Sequence, residues 1–486
     1  MESEDATRNW GNRKLKNMGT MFSPKTVALI GASHDPGKPG FHVLKSLIDG
    51  EFSGKVFPIN PKRGVIMGLE VHTSLKDVPD QVDLAVIIIP ALRVLDAIKD
   101  CIGTGVKGIV MITGGFKEVG NENGAHLQEQ IADLANGAGI PIIGPNTPGI
   151  LNLGIGLNAS FTPAFSAAKK GNVALISQSG GVAHLIGYMA MRNNVGLGKI
   201  MGLGNRCNID FADALDFLMQ DADTQVIALY VEGIDNPRQL IETAQRYRGE
   251  KPVVVLKSGS AAQSNEASLS HTGTLTGSHE IYAAGFRQAG MLCVNSVEEL
   301  VDAVKILDAA PPWEGGANTA IVSGQAGPAI VACDALERNG LAAMPFSKSL
   351  QNRINDILPP LTMRSNPVDL GPWWYDLELF KNILKVIGED NDIAAILIII
   401  VLGEANSFFV EGISAMLSDL SKQKPVVGCF VFPSQGWDKA VAAIEDASAF
   451  VSYPTPERAV GALANLSLAK KMKDPPPEGA VLEYSL

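Results

Sequence analysis

Short apolar runs rich in Val and Ile recur along the chain, each closed by a Gly, Pro or Asn turn and followed by a stretch with helical spacing. A first series reads KTVALIGAS, KVFPIN, DLAVIIIP, GIVMITGG and IPIIGPN. A second reads GNVALISQSG, KIMGLGN, TQVIALYVEG and KPVVVLKSG. A third reads NTAIVSGQAG, IAAILIIIV, KPVVGCFVF and AFVSYP. These runs are apolar throughout rather than alternating, so each strand is covered on both faces, which is the pattern of parallel sheets between helices. Periodicity lapses at 152–172 and again at 309–318, where Gly, Pro and small residues accumulate. The pattern therefore predicts an α/β protein of three consecutive doubly wound domains, over about 23–152, 166–308 and 318–470. Residues 1–22 read as an N-terminal arm and 471–486 as a tail.

Composition narrows the class. Hydrophobic residues make up 46% and charged residues 19%, with 50 Gly and 28 Pro, as expected of a folded, turn-rich chain. The formal net charge of -11 argues against nucleic acid or an anionic membrane as the main partner. It leaves room for anionic small ligands held by backbone N–H groups and a few local cations. The cysteines at 101, 207, 293, 333 and 429 have no CxxC or metal-ligand spacing, which suits a reducing, cytoplasmic compartment. The first 22 residues lack the apolar core of a signal peptide. The run IAAILIIIVL at 393–402 is too short to span a bilayer, and no metal site is expected.

In open α/β sheets, ligands bind beyond the carboxyl ends of the strands. The first strand ends in GASHDPGKPG, where Gly31, Gly37 and Gly40 permit close approach of a phosphate and the next helix presents its N-terminal dipole. A tight turn with no ligand accounts for the same residues. Further strand ends carry Lys62 and Arg63, Pro90, Thr113 to Gly115, and GPNTPGI at 144–150. Together they read as a crevice along one sheet edge. The second strand ends in Asn60, Pro61 and Lys62 rather than an acid that could hold a ribose hydroxyl, so a nicotinamide-dependent dehydrogenase is disfavoured.

The second series opens with LISQSGGVAHLIGYMA, placing Ser177, Ser179, Gly180 and Gly181 where a strand turns into a helix, a second anion-binding arrangement. The GxSxG spacing of a nucleophile elbow is absent. Glu232 follows an apolar run directly; it reads either as a capping or solvent-facing carboxylate, or as the acceptor that fixes the tautomer of an imidazole. Lys257 ends the next strand, and His271 comes fourteen residues later within ASLSHTGTLTGS. Small neighbours leave space for a tetrahedral group on the ring and supply N–H and O–H donors to it. Gly273 and Gly277 would let the segment move. A bare loop histidine is the competing account, and His279 reads as ordinary surface.

Taken together, these segments resemble the nucleoside-diphosphate-forming (ADP-forming) acyl-CoA synthetases of the succinyl-CoA synthetase superfamily. SLSHTGTLTGS is similar to their phosphohistidine segment. GASxxPGKPG, PINPK, GPNTPGI, ISQSGG, YVEGI, NPVDL (366–370) and YPTPERAV (453–460) follow in unbroken order over about 22–465. The resemblance implies a Rossmann-like CoA-binding domain followed by two flavodoxin-like ligase domains. Coenzyme A would be held by Gly31, Ser33, Lys38, Gly40, Lys62, Pro90 and Thr113. His271, oriented by Glu232, would carry the phosphoryl group, with Ser177, Ser179, Gly180 and Gly181 at the phosphate. The implied reaction interconverts acyl-CoA, ADP and phosphate with a small carboxylic acid, CoA and ATP. The acid pocket is expected between the first two domains, near ASFTPAF (159–165).

Two positions depart from the family pattern. Thr147 stands where a cysteine is usual, and SGQAGPA (Ser323 to Ala329) replaces a sequence close to TNAGGPG. The family's ATP-grasp module is not in this sequence, and no GxxxxGK[ST] loop replaces it. The resemblance thus implies an alpha-type subunit in a hetero-oligomer, with ATP, ADP and Mg²⁺ bound through an ATP-grasp beta subunit. The rival reading is a CoA- or acyl-CoA-binding regulatory protein that kept the fold and lost phosphotransfer.

Overall fold

The computed structural model describes residues 13–261, 279–311, 313, 315–360, 362–403, 408–432 and 436–473. The chain divides into two compact units, Met1–Asn295 and Ser296–Leu486.

The first unit holds two sheets. One is built from β1 (Thr26–Ile30), β2 (Lys55–Ile59), a small hairpin of β3 (Val65–Ile66) and β4 (Leu69–Glu70), then β5 (Leu84–Ile87), β6 (Gly108–Met111) and β7 (Ile142–Ile143). Its order is β2-β1-β5-β6-β7, parallel throughout. The other uses β8 (Gly149–Asn152), β9 (Leu157–Ser160), β10 (Lys170–Ser177), β11 (Leu197–Gly202), β12 (Val226–Val231), β13 (Val253–Lys257) and β14 (Leu292–Val294). Its order is β14-β13-β12-β10-β11-β8-β9, with β8 antiparallel to both β11 and β9. The second unit carries β15 (Thr319–Ser323), β16 (Val368–Asp369), β17 (Ala395–Val401), β18 (Val426–Val431) and β19 (Val451–Ser452), ordered β16-β15-β17-β18-β19 and parallel.

All three sheets wind the same way. The first parallel strand lies inside, the second on one side of it, and the third begins the march to the other side. Each sheet thus has one topological switch point: β1 beside β5, β10 beside β12, and β15 beside β17. The strands flanking these points are apolar because helices cover both faces. Val27, Ala28 and Leu29 of β1 are fully buried, as are Ile396 to Ile399 of β17. Each such Val, Leu or Ile side chain contributes about 1.5–3 kcal/mol.

The structure redraws one edge of the expected organisation. Residues 13–22 are helical, and Met18, Met21 and Phe22 are fully buried. Their i, i+3, i+4 spacing makes an apolar stripe, so this part of the expected arm belongs to the core. Lys14 pairs with Asp213 at 2.8 Å, and Asn17 donates to the Gly139 carbonyl. Helix Val297–Ala309 packs within the second unit. Its Asp302 receives Nε and Nη2 of Arg458 at 2.8 and 2.7 Å, and its Lys305 pairs with Glu445 at 2.8 Å. Breaking a buried pair strands a charge. Arg458→Met is therefore expected to cost the second unit about 3 kcal/mol, measured by urea denaturation.

Candidate active site

At the switch point of the first sheet, Gly31 follows β1 with φ of +105°. A Cβ there would lie 2.3 Å from the Ile88 carbonyl oxygen, and one on Gly40 would lie 2.1 Å from the Gly31 oxygen. The start of helix Pro39–Asp49 can rest on the turn only because both residues are glycine. Ser33 accepts from the Asp35 N–H, and Asp35 accepts from the Gly37 N–H, so these side chains shape the loop. Asn60, which the sequence reading used only to exclude NAD, donates to the Ala32 carbonyl and accepts from the Lys62 N–H. It ties the end of β2 to the end of β1. Thr113 donates to the Ile89 carbonyl and accepts from the Ile89 N–H, tying β5 to β6. Lys38, Lys62 and Pro90 are exposed on this edge. The seven residues expected at CoA all lie at the carboxyl ends of β1, β2, β5 and β6, where the Ser33 and Thr113 side chains hold the turns.

Loop 144–149 joins the two sheets of the first unit. The buried Thr147 hydroxyl donates to the Gly202 carbonyl and accepts from the Gly149 N–H, a turn-holding role that a thiol would fill weakly. Asn205 gathers the neighbouring strand ends, donating to Glu118 at 2.5 Å and to Gln128 at 3.0 Å. Burial pushes the Glu118 carboxyl up, but N–H donors from Gly115, Asn205 and Phe116 outweigh it and hold it below its ordinary 4.5. A depressed carboxyl stabilises the fold above its unfolded pKa and loses that contribution as pH falls through the folded value. Glu118→Gln is expected to cost about 1 kcal/mol at neutral pH, the group being part-exposed and screened. The gap in melting temperature from wild type should close as the pH is taken below 4.5.

The switch point of the second sheet is more elaborate. Ser179 caps helix Gly180–Arg192 through the Val182 N–H. The Ser177 hydroxyl is fully buried and donates to the Ser179 carbonyl, so it braces the turn from beneath. Gln178, missed by the sequence reading, accepts from both the Glu232 and Gly233 N–H groups at 2.9 and 3.1 Å. That one amide locks the end of β10 to the end of β12. The signal in the sequence was a polar residue placed directly after an apolar run. Gly181 has open space where a Cβ would stand, its nearest neighbour being Ser179 Oγ at 3.9 Å.

Glu232 is 8% exposed and takes a 3.4 Å hydrogen bond from the Tyr230 hydroxyl. The capping or solvent-facing reading of this carboxylate does not hold, because it is buried at the pocket. Lys257, at the end of β13, is also buried and lies over the Tyr282 ring at 5.1 Å. Burial lowers its pKa, and the negative charge of Glu232 opposes that shift. His279 is half-buried rather than ordinary surface. Burial, then the Lys257 charge, lowers its pKa. His271, Gly273 and Gly277 lie outside the described residues.

A cavity of about 420 Å³ opens at this switch point, lined by Ser179, Gly180, Gly181 and Glu232 and also by Phe161 of the expected ASFTPAF segment. Turn N–H groups at a helix start beside a buried carboxylate and lysine can receive an anion and orient an imidazole. All five cysteines are free, and burial pushes Cys101 and Cys207 up to about 12. Among the described residues no group of His, Cys, Asp and Glu is placed to hold a metal, and no helix is long and apolar enough to cross a membrane. In the third sheet, the SGQAGPA loop repeats the Gln178 device: Gln325 reaches the Val401 backbone across the β15–β17 switch point.

Comparison with known proteins gives these features their class. A CoA binding domain matches residues 25–152, and a succinyl-CoA ligase like flavodoxin domain matches residues 170–307. The paired domains are those of a CoA ligase. The alpha subunit of ADP-forming acetate–CoA ligase II from Pyrococcus furiosus is 34% identical over 414 residues, 84% of this chain and 89% of that subunit. The ADP-forming acetate–CoA ligase of Methanocaldococcus jannaschii is 39% identical over 71% of this chain and 48% of that protein, so the chain spans about half its length. The solved acetyl-coenzyme A synthetase 1 of Ca. Korarchaeum cryptofilum, in complex with phosphate and ADP, superimposes with a TM-score of 0.85 at 34% identity. The match covers 93% of this chain and 97% of that one. The chain belongs to the ADP-forming acyl-CoA synthetases of the succinyl-CoA synthetase superfamily.

Proposed function

We propose that this chain is the CoA-binding, phosphohistidine-carrying subunit of an ADP-forming acyl-CoA synthetase, with His271 as the carrier. The observation that carries the reading is the meeting of the Gln178–Gly181 turn and buried Glu232 in one cavity at the β10–β12 switch point. The next strand, β13, leads through Lys257 into the segment that contains His271. Phosphate attacks the acyl-CoA carbonyl and CoA leaves as the thiol, giving acyl phosphate. An imidazole nitrogen of His271 then attacks phosphorus, and the carboxylate departs. ADP takes the phosphoryl group from the imidazole, yielding ATP and restoring the ring. Splitting one transfer into two lets the acyl and nucleotide half-sites lie apart.

Glu232 accepts a hydrogen bond from one imidazole nitrogen and so presents the other as the nucleophile. Turn N–H groups at Ser179 to Gly181 take the phosphoryl oxygens. Gly31, Ser33, Lys38, Gly40, Lys62, Pro90 and Thr113 form the CoA crevice. The nucleotide and Mg²⁺ bind through a separate ATP-grasp beta subunit, in keeping with relatives that are named alpha subunits and with single-chain relatives about twice as long.

The test is incubation of the reconstituted complex with radiolabelled ATP and Mg²⁺. A base-stable, acid-labile phosphate should appear on this chain and vanish in His271→Ala. A wild-type complex that takes no label defeats the reading and leaves a CoA-binding regulatory protein in its place.

A further inference from the structure

Resting on that functional reading, we propose that Gln178 is a further catalytic residue. Its side-chain NH₂ donates to an oxygen of the phosphoryl group while that group lies at the Ser179–Gly181 turn.

Gln178 is 6% exposed and lines the cavity at the β10–β12 switch point. Its partners fix which way the amide faces. The Glu232 and Gly233 N–H groups can only donate, and they meet one end of the amide at 2.9 and 3.1 Å. That end is therefore Oε1, and Nε2 is turned away from them. The main-chain N–H of Gln178 donates to the Tyr230 carbonyl at 3.2 Å, so backbone and side chain are both tied to the end of β12. Among the described residues none accepts a hydrogen bond from Nε2. A buried donor left without a partner is costly, and the cavity is the space this residue borders.

The third sheet supplies a control within the same chain. Gln325 stands at the corresponding place after β15 and uses both ends of its amide on Val401. Its Nε2 donates to the carbonyl at 3.5 Å, and its Oε1 accepts from the N–H at 3.4 Å. A clamp between strand ends needs nothing more. Gln178 makes its clamp with the oxygen alone and keeps the nitrogen for something else.

Other polar side chains around the cavity are already engaged. His184 Nδ1 lies 2.6 Å from the Gly180 carbonyl and its Nε2 meets the Thr162 hydroxyl, while Asn205 donates to Glu118 and Gln128. Arg206 is the only arginine or lysine among the described cavity-lining residues, and it pairs with Asp210 at 3.1 Å and Asp235 at 3.3 Å. An anion at this turn is thus met mainly by neutral donors. Ser179 takes the Val182 N–H, whereas the Gly180 and Gly181 N–H groups open the helix and have no acceptor within it. Nε2 of Gln178 adds two hydrogens to that set, on an amide already held in place, so it need not reorganise as the transfer proceeds. In that transfer an imidazole nitrogen of His271 attacks phosphorus. The P–O bond to the acyl group breaks, and its electron pair leaves on the carboxylate. Gln178 donates a hydrogen bond to a non-bridging oxygen throughout and gives up no proton.

Two variants of the reconstituted complex separate this role from a clamp. Gln178→Met removes donor and acceptor together. Gln178→Glu keeps an acceptor for the Glu232 and Gly233 N–H groups and puts an anionic oxygen in place of the NH₂. Isothermal titration with inorganic phosphate should show Kd raised about tenfold in Gln178→Met, as for one lost hydrogen bond to a charged group. In Gln178→Glu it should rise further, by about 10²-fold, through like-charge repulsion. CoA affinity should keep its wild-type value in both. If Gln178 only clamps, the order reverses, because the Glu variant retains the clamp and the Met variant lacks it. That reversed order, or wild-type phosphate affinity in Gln178→Glu, overturns the proposal. So does a wild-type complex that takes label from ATP and Mg²⁺ yet binds no phosphate. A wild type that takes no label strikes the proposed function itself, and the two failures are thereby told apart. Should Gln178→Met misfold, seen as a lowered melting temperature, the Gln178→Glu result decides by itself.

Discussion

Glu232→Gln is expected to slow phosphate incorporation from ATP roughly 10²-fold, the usual scale for losing a charged group that prepares a reacting centre. The substitution keeps side-chain volume and leaves the backbone N–H of residue 232 on Gln178, so the junction of β10 with β12 survives. What is lost is the carboxylate. A carboxylate can only accept from an imidazole N–H, whereas an amide can also present its NH₂ and favour the wrong tautomer. Lys257 would lose the negative charge that opposes the effect of burial, and its pKa would fall further. Labelling kinetics should show the defect, and titration with CoA should show unchanged affinity. Equal loss of both would mean that Glu232 supports the fold rather than the transfer.

Gly40→Ala should act at the β1 turn of the first sheet. Its Cβ would lie 2.1 Å from the Gly31 oxygen and 3.1 Å from the Gly31 carbonyl carbon, and both are backbone atoms in a turn with φ of +105°. Gly31 is itself pinned, since its N–H donates to Ile59 and its own Cβ position falls 2.3 Å from the Ile88 oxygen. With no flexible side chain to give way, the helix start must lift off the turn. The expected cost is about 3 kcal/mol of stability, at the upper end for overpacking. CoA affinity should fall at least tenfold, because the Lys38–Gly40 backbone moves with the helix. Calorimetric melting and isothermal titration with CoA check both effects. A variant with wild-type melting and wild-type CoA affinity would contradict the close approach.

Particular residues show why some of this was legible beforehand. KTVALIGAS and TQVIALYVEG read as buried parallel strands because continuous apolar runs have few other uses, and those runs are strands in the structure. SQSGG and Glu232 stood out because polar and small residues follow such runs directly. Gln178 stands in the same turn, but its role is not legible there, since its partners, the Glu232 and Gly233 N–H groups, lie more than fifty residues away. Met18, Met21 and Phe22 read as part of an arm because one short stripe, seen without the surface that covers it, is a weak signal. His184 looked like one more residue in a helix. Only the tertiary placement of Thr162, Phe161 and Phe165 around it fixes its ring.

By itself the sequence determined the α/β class, the strand ends where chemistry gathers, and the family, because periodicity and turn residues are local properties carried along the chain. The tertiary structure decided which strand ends meet. Strand order within a sheet is set by packing between distant segments, so only the folded chain could place Glu232 beside Gln178, spend both nitrogens of His184 and engage Arg206 with two aspartates.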